Sequence, residues 1–220
     1  MCGRFTLYHT PKDVAEQFDL PTVVAFEPRY NIAPTQQVLA VRATESGREA
    51  VWLRWGLIPS WAGDASIGAR LLNARVETIL EKPSFRVAFQ RRRCLIPADG
   101  FYEWQAVAGK KQPLHFSLHD GRLFAFAGLW EQWTSPEGVM LQTCTVLTTA
   151  ANALIQGVHD RMPVLVDKAR YGDWLSPKSD PKQLPAWLTA WPAEEMRMTP
   201  ANPRVNNARN EGRDCLARAD

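Results

Sequence analysis

Pro113-Leu114-His115-Phe116-Ser117-Leu118-His119 is the stretch that decides how the chain is read. His115 and His119 stand at i, i+4, a spacing that would put two metal ligands on one helix face. Pro113 and the strict apolar–polar alternation instead give the period of two of a half-buried strand. Working outward, 101–106, 123–133 and 140–148 read as further strands, and 37–43 with 50–58 as a hairpin turning through Glu45-Ser46-Gly47. Residues 2–8 give a first strand, 163–166 a short apolar one and 195–199 the last.

Helices are fewer and shorter. Thr10-Pro11-Lys12-Asp13 opens one to about Phe18, with Thr10 as N-cap, Pro11 at the first helical position and Asp13 at a capping-box spacing. Helices are also expected over about 74–80 and 84–91, split by Lys82-Pro83, and over about 150–156, 168–175 and 183–189. Pro28 to Pro34 reads as a loop. There is no repeat, low-complexity stretch or clear linker. The expectation is a single α+β, β-rich domain of antiparallel strands over 1–220, with a polar tail from about 206 to 220.

The 220 residues are 45% hydrophobic, enough for a sizeable core, with nine Trp and 16 Pro, which suit a compact, loop-rich fold. Of the tryptophans, Trp52, Trp55, Trp130 and Trp133 are expected in the core. A net charge of +3 permits nucleic-acid binding without arguing for it. Cys2, Cys94, Cys144 and Cys215 form no CxxC pair, and His9, His115, His119 and His159 form no HExxH, so neither a metal nor a cofactor is expected. Unpaired thiols, with no apolar run of membrane length and no apolar leader, lead us to expect a soluble cytoplasmic protein with no membrane partner.

The chain begins Met1-Cys2-Gly3-Arg4-Phe5. Removal of Met1, plausible before a small residue, would make Cys2 a 1,2-aminothiol. Its amine condenses with an aldehyde to an imine, and its thiol then closes a thiazolidine ring. An α-amine has a pKa of about 7.7–8.0 against about 10.4 for Lys, so far more of it is a free nucleophile at neutral pH. The alternative is a cysteine simply buried near the start of a strand.

Four segments taken together carry a resemblance: Met1-Cys2-Gly3-Arg4-Phe5, Asn73-Ala74-Arg75-Val76-Glu77, the run from Arg92 to Trp104 that contains Ala98-Asp99-Gly100-Phe101-Tyr102-Glu103-Trp104, and His159-Asp160-Arg161-Met162-Pro163. Weaker echoes are Tyr30-Asn31-Ile32-Ala33-Pro34, Trp55-Gly56-Leu57-Ile58-Pro59 and Val205-Asn206-Asn207. In this order they resemble the SOS-response-associated peptidase (SRAP) family of abasic-site processing proteins, over essentially the whole chain. Val76 departs from the small polar residue expected there and leaves Asn73 and Arg75 in place.

The resemblance implies a barrel-like core with peripheral helices and a basic groove for single-stranded DNA. It implies a covalent cross-link between an N-terminal Cys2 and the aldehyde of an abasic site, with the protein as a DNA-associated monomer that protects the lesion during the DNA damage response. Glu103, between two aromatics, would assist sugar-ring opening and proton transfer; an exposed strand carboxylate is the bland alternative. His159 would move protons at the imine, or merely cap its loop. Asn73 would position Cys2, or cap the helix expected from Ala74, or both. Arg4, Arg75 and Arg161 would hold phosphates, with Arg86 and Thr148 as further candidates; Pro34 and Trp61 would wedge or stack against bases. Arg91-Arg92-Arg93 reads equally as a basic patch or a solvated face. Autoproteolytic peptidase and abasic-site lyase activities would be compatible with these groups. Two rival readings stay open: a cysteine peptidase acting on other proteins, and a non-covalent single-strand binder in which Cys2 is incidental.

Overall fold

The computed structural model describes residues 2–22 and 25–216. The strands in chain order are β1 (Phe5–Leu7), β2 (Arg29–Ile32), β3 (Gln37–Thr44), β4 (Gly47–Trp55), β5 (Asn73–Arg75), β6 (Arg93–Ala98), β7 (Gly100–Val107), β8 (Lys110–Leu118), β9 (Phe124–Thr134), β10 (Met140–Ala150), β11 (Arg161–Pro163), β12 (Leu165–Val166) and β13 (Met196–Pro200). The helices are α1 (Pro11–Phe18), α2 (Pro83–Arg91) and α3 (Tyr171–Leu175), with short 3-10 turns between elements.

Strands β10, β4, β3, β6 and β9 pair in sequence, and β9 pairs back onto β10, so the five close into a barrel. β5 and β11 extend β10 beyond the barrel: Asn73–Arg75 runs parallel to Val146–Thr148, and Arg161–Pro163 antiparallel to Thr148–Ala150. A second sheet, in the order β13-β8-β7-β1-β2, packs on the barrel. Its inner face sends Phe5, Phe101 and Phe116 into the common core. There Phe5 meets Trp55 and Phe126 of the barrel edge-on, with ring centroids at 5.3 and 5.6 Å. Burying each such ring stabilises the fold by about 1.5–3 kcal/mol. The β-rich α+β class and the barrel-like core expected above are what the chain forms.

Local chemistry explains several elements. Thr10 Oγ1 accepts the Asp13 amide and the Asp13 carboxylate accepts the Thr10 amide, a capping box that starts α1. β7 and β8 can lie close because Gly100 has no side chain: a Cβ there would come within 2.3 Å of His115 Nε2.

Other expectations are corrected. The helix expected over 74–80 is absent. Asn73–Arg75 is a strand because β10 offers it a ladder, followed by a 3-10 turn over Val76–Thr78; Asn73 therefore caps no helix. The segment 150–156 is a series of turns, and only Leu184–Trp187 of the helix expected over 183–189 forms, as a 3-10 turn. Part of the Pro28–Pro34 loop is β2, paired with β1. Trp55 and Trp133 are core, Trp130 is half-buried beneath the Arg42 guanidinium, and Trp52 lies at the surface against Phe26. Arg93 is buried, not part of a basic patch. Its guanidinium donates to the carbonyls of Phe89, Gln90, Trp174 and Ser176 and so ties α2 to α3. Arg92 pairs with Glu131 at 2.8 Å.

The segment after β13 folds back over the outer face of the second sheet. Asn31 holds it: its amide donates to the carbonyls of Asn207 and Asn210 at 3.0 and 2.8 Å. Glu211 accepts the Tyr30 amide, and Val205 and Cys215 are buried against Tyr102. The region expected as a polar tail is thus a strap as far as Leu216; its last four residues lie outside the described ones. No helix among the described residues is long and apolar enough to cross a membrane.

Candidate active site

Cys2 precedes β1, and β1 lies between β2 and β7. Pairing of Phe5 with Phe101 and of the Tyr102 amide with the Arg4 carbonyl brings the start of the chain alongside Glu103. Cys2 is fully buried, its Sγ 3.9 Å from the Arg4 carbonyl. Burial, and then the charge of Glu103, push its thiol well above the usual cysteine range, so the group is a thiol rather than a thiolate.

Asn73 reaches the same point from β5, its Nδ2 donating to the Cys2 carbonyl at 2.9 Å. Its Oδ1 is buried with no partner among the described residues, an acceptor set beside the cysteine backbone.

Glu103 follows Phe101 by two along β7 and therefore shares its core-side register. The carboxyl is only 5% exposed, and burial raises its pKa to about 7. It can give or take a proton at neutral pH.

His159 lines the same pocket. Its Nδ1 accepts the Arg161 amide at 2.9 Å, which leaves the proton on Nε2 in the neutral ring. Partial burial lowers its pKa, so the neutral form prevails at pH 7. Asp160 Oδ1 lies 2.9 Å from the same Nδ1 and would accept a hydrogen bond from it if the ring charged.

The pocket is an open recess of about 560 Å3 lined by Arg4, Glu103, Trp104, Lys111, His159 and Asn206. Arg4 stands at its back: it donates to Asn31 Oδ1 and the Val205 carbonyl, both at 2.6 Å, and its guanidinium lies 5.6 Å from the Trp104 ring centroid. Trp104 in turn donates to Asn206 Oδ1 at 2.6 Å. Arg4 is therefore fixed by the strap.

The structure brings Cys2, Asn73, Glu103, His159 and Arg4 together. It places the remaining sequence candidates differently. Arg161 is 8% exposed, and its guanidinium is clasped bidentately by Glu77 at 2.6 and 2.8 Å and donates to the Thr148 carbonyl. That fork holds the His159 turn to the segment following Asn73 and is not open to a phosphate. Thr148 is buried beneath Ala74. Arg75 and Arg86 are exposed, Pro34 is half-buried beside Thr35 in the left-handed region, and Trp61 is 62% exposed. Among the described residues no cluster of three or more His, Cys, Asp or Glu could hold a metal.

Lys111, Trp104, Asn206 and Asn31 were not among the site residues read from sequence. Trp104 sits in the quoted run, and Asn31 and Asn206 in the weaker echoes, so position beside a matched motif was a usable signal for three of them. Lys111 carried none.

A family model described as SOS response associated peptidase (SRAP) matches residues 1–208. The abasic site processing protein YoqW of Bacillus subtilis (strain 168) is 43% identical over 221 residues, covering 98% of this chain and 99% of its own. The abasic site processing protein HMCES of Mus musculus is 29% identical, covering 100% of this chain and 76% of its own. A solved structure from Bacteroides thetaiotaomicron superposes with a TM-score of 0.88 at 23% identity over 99% of this chain and 100% of that one, a likeness of fold. One from Bordetella bronchiseptica gives 0.79 at 26% identity over 91% and 100%.

Proposed function

The chain belongs to the SOS response associated peptidase (SRAP) family, and we propose that it captures abasic sites in single-stranded DNA as a covalent adduct of Cys2 once Met1 is removed. The observation that carries the reading is that a recess lined by a carboxyl with a pKa near 7 and a neutral histidine adjoins buried Cys2, which feels the Glu103 charge and whose carbonyl accepts from the Asn73 amide.

Glu103 in its ionised form takes the proton of the sugar hemiacetal hydroxyl and delivers it to the ring oxygen as the C1′–O4′ bond breaks, so the ring opens to the aldehyde and a free hydroxyl. The Cys2 α-amine adds to C1′, and Asn73 holds the cysteine backbone while it does so. Loss of the carbinolamine hydroxyl as water gives the imine, with His159 and Glu103 passing the protons. The thiol then adds across the C=N bond. The new C–S bond closes the thiazolidine, and the thiol proton goes to the ring nitrogen. One water is lost overall. The buried thiol is protonated, so its proton must leave the sulfur as the C–S bond forms. The imine stage also permits β-elimination at the sugar, a lyase side reaction.

The strand would enter past Arg4, Lys111 and Trp104, with Arg75 outside them. Guanidinium forks meet phosphates, and an aromatic face tolerates any base.

The test is a denaturing gel, without borohydride, of protein of verified N-terminal mass mixed with an oligonucleotide carrying one abasic site. A heat-stable shifted band is expected from chains that begin at Cys2 and from no others. Cys2→Ser retains the amine and should give a band only when borohydride traps the imine. A stable band from Cys2→Ser without borohydride would refute thiazolidine closure. No band from Met-less wild type would refute covalent capture, and equal affinity for intact and abasic strands would then point to non-covalent binding.

A further inference from the structure

The outer face of the second sheet carries another recess, of about 420 Å3, lined by Tyr8, His115, Ser117, Arg197 and Thr199 and closed by Leu216 of the strap. It shares no lining residue with the recess at Glu103 and His159. Along β8, Lys111 belongs to the first and Ser117 to the second, a separation of about 20 Å at ~3.3 Å per residue. Nothing in the chemistry above uses it.

Its polar side chains are a guanidinium, a histidine and three hydroxyls, with no carboxylate among the lining residues. Arg197 is exposed, and its Nε donates to Ser117 Oγ at 3.0 Å, which aims the Ser117 hydroxyl proton elsewhere. Unlike Arg122 or Arg161, Arg197 forms no ion pair among the described residues, and neither does the exposed Arg213. Burial and the Asp99 charge push the Tyr8 phenol up while Arg197 and Arg213 pull it down, so both guanidiniums act on one hydroxyl. Tyr8 is itself fixed, stacked on Tyr30 at 5.5 Å and on His9 at 5.8 Å. The neighbouring carboxylate, Asp99, is wholly buried and already bonded to the Tyr8 amide and to His9. His115 is neutral, its pKa lowered to about 3 by burial and then by Arg197. Among the described residues the recess therefore offers a guanidinium without an ion pair beside the Tyr8 and Ser117 hydroxyls, and no carboxylate lines it.

We propose that this recess binds a phosphate group, as an anion or monoester free in solution or as a phosphodiester of the strand held at Cys2. Donors in a fixed fork beside hydroxyls match tetrahedral oxyanions.

Titration calorimetry with inorganic phosphate at constant ionic strength tests it first. Saturable binding is expected for the wild type, weakened at least about tenfold in Arg197→Ala and in Ser117→Ala, and partly retained in Arg197→Lys, whose charge survives without the fork. Unfolding midpoints of the variants separate a lost site from a lost fold. The second arm measures single-strand affinity against salt. A slope smaller by about 0.7 in Arg197→Ala identifies the phosphate as the strand's own, whereas phosphate binding with an unchanged slope identifies a free ligand. Absence of phosphate binding together with an unchanged slope overturns the proposal. Neither arm depends on adduct formation at Cys2.

Discussion

The inner and outer faces of the second sheet are made by alternate residues of the same strands, yet they serve different ends. Phe5, Phe101, Phe116 and Leu118 face inward and are buried against the barrel. Arg4, Tyr102, Trp104, His115 and Ser117 face outward, where the strap and the two recesses meet them. The inner face is held by apolar area, which no single hydrogen bond decides. The outer face is held by specific polar contacts, such as Asn31 to two strap carbonyls and to Arg4. Glu103 breaks the division, a carboxyl on the core-side register, and it is the group most displaced towards neutral-pH chemistry.

Truncating the inner face should give the largest effect. Phe101 is fully buried between Phe116 and Phe126, so Phe101→Ala is expected to cost about 3–5 kcal/mol in denaturant unfolding. The residual folded fraction should still form adduct. Loss of adduct formation with stability intact would mean that the two faces are not separable.

Glu103→Gln tests the exception, and its signature lies in pH. The folded pKa of about 7 lies above the ordinary carboxyl value of about 4.3, so between these the folded state holds more protons than the unfolded. Wild-type stability therefore falls as pH rises from about 4 to 7, by linkage. Glu103→Gln should flatten that fall and slow adduct formation by about 10²–10⁴-fold. It should also remove the rise in rate through pH 7 that comes with ionising the base, leaving only the limb set by the amine. An unchanged pH–rate profile would remove Glu103 from the proton path.

That exception also shows what the sequence could and could not reveal. Strand periodicity located most of the sheet, because alternation is a local property. Phe101 and Glu103 share a parity, so burial of Glu103 could have been read from the neighbouring Phe; taken singly, a strand Glu looks exposed. The helix expected from Ala74 does not form because the β10 edge, which makes Asn73–Arg75 a strand, lies more than seventy positions away and is invisible to a local reading. Arg161 was read as a phosphate ligand because the sequence cannot show that Glu77 already occupies its fork. The strap was read as a tail because its apolar anchors, Val205 and Cys215, are too sparse to form a period.

Asn31→Ala tests the outer face. Its amide donates to Asn207 and Asn210 and its Oδ1 accepts from Arg4, so the change leaves buried groups unpaired and is expected to cost about 1–3 kcal/mol. Adduct formation should fall beyond what the stability loss explains, because Arg4 and Trp104 lose their support at the pocket. Protease cleavage confined to the segment after residue 200 would locate the damage. A variant that unfolds globally without first releasing the strap would show that the strap is part of the core.

Arg75→Ala should do least to the fold and still be informative. Arg75 is exposed and lies two residues from Asn73 on β5, so it stands on the face that carries Asn73 to Cys2. Among the described residues it forms no ion pair, unlike Arg161 on the other side of β10. Its removal should change stability by less than about 0.5 kcal/mol. If it meets one phosphate, the plot of log affinity for single strands against log salt should lose about 0.7 of its slope, equally for every sequence tried. Arg161→Ala should behave in the opposite way, lowering stability through the lost bridge from buried Arg161 to Glu77 and the Thr148 carbonyl and leaving the slope where it was. If the two variants exchanged these signatures, the clasp of Arg161 by Glu77 would have to open when the strand binds.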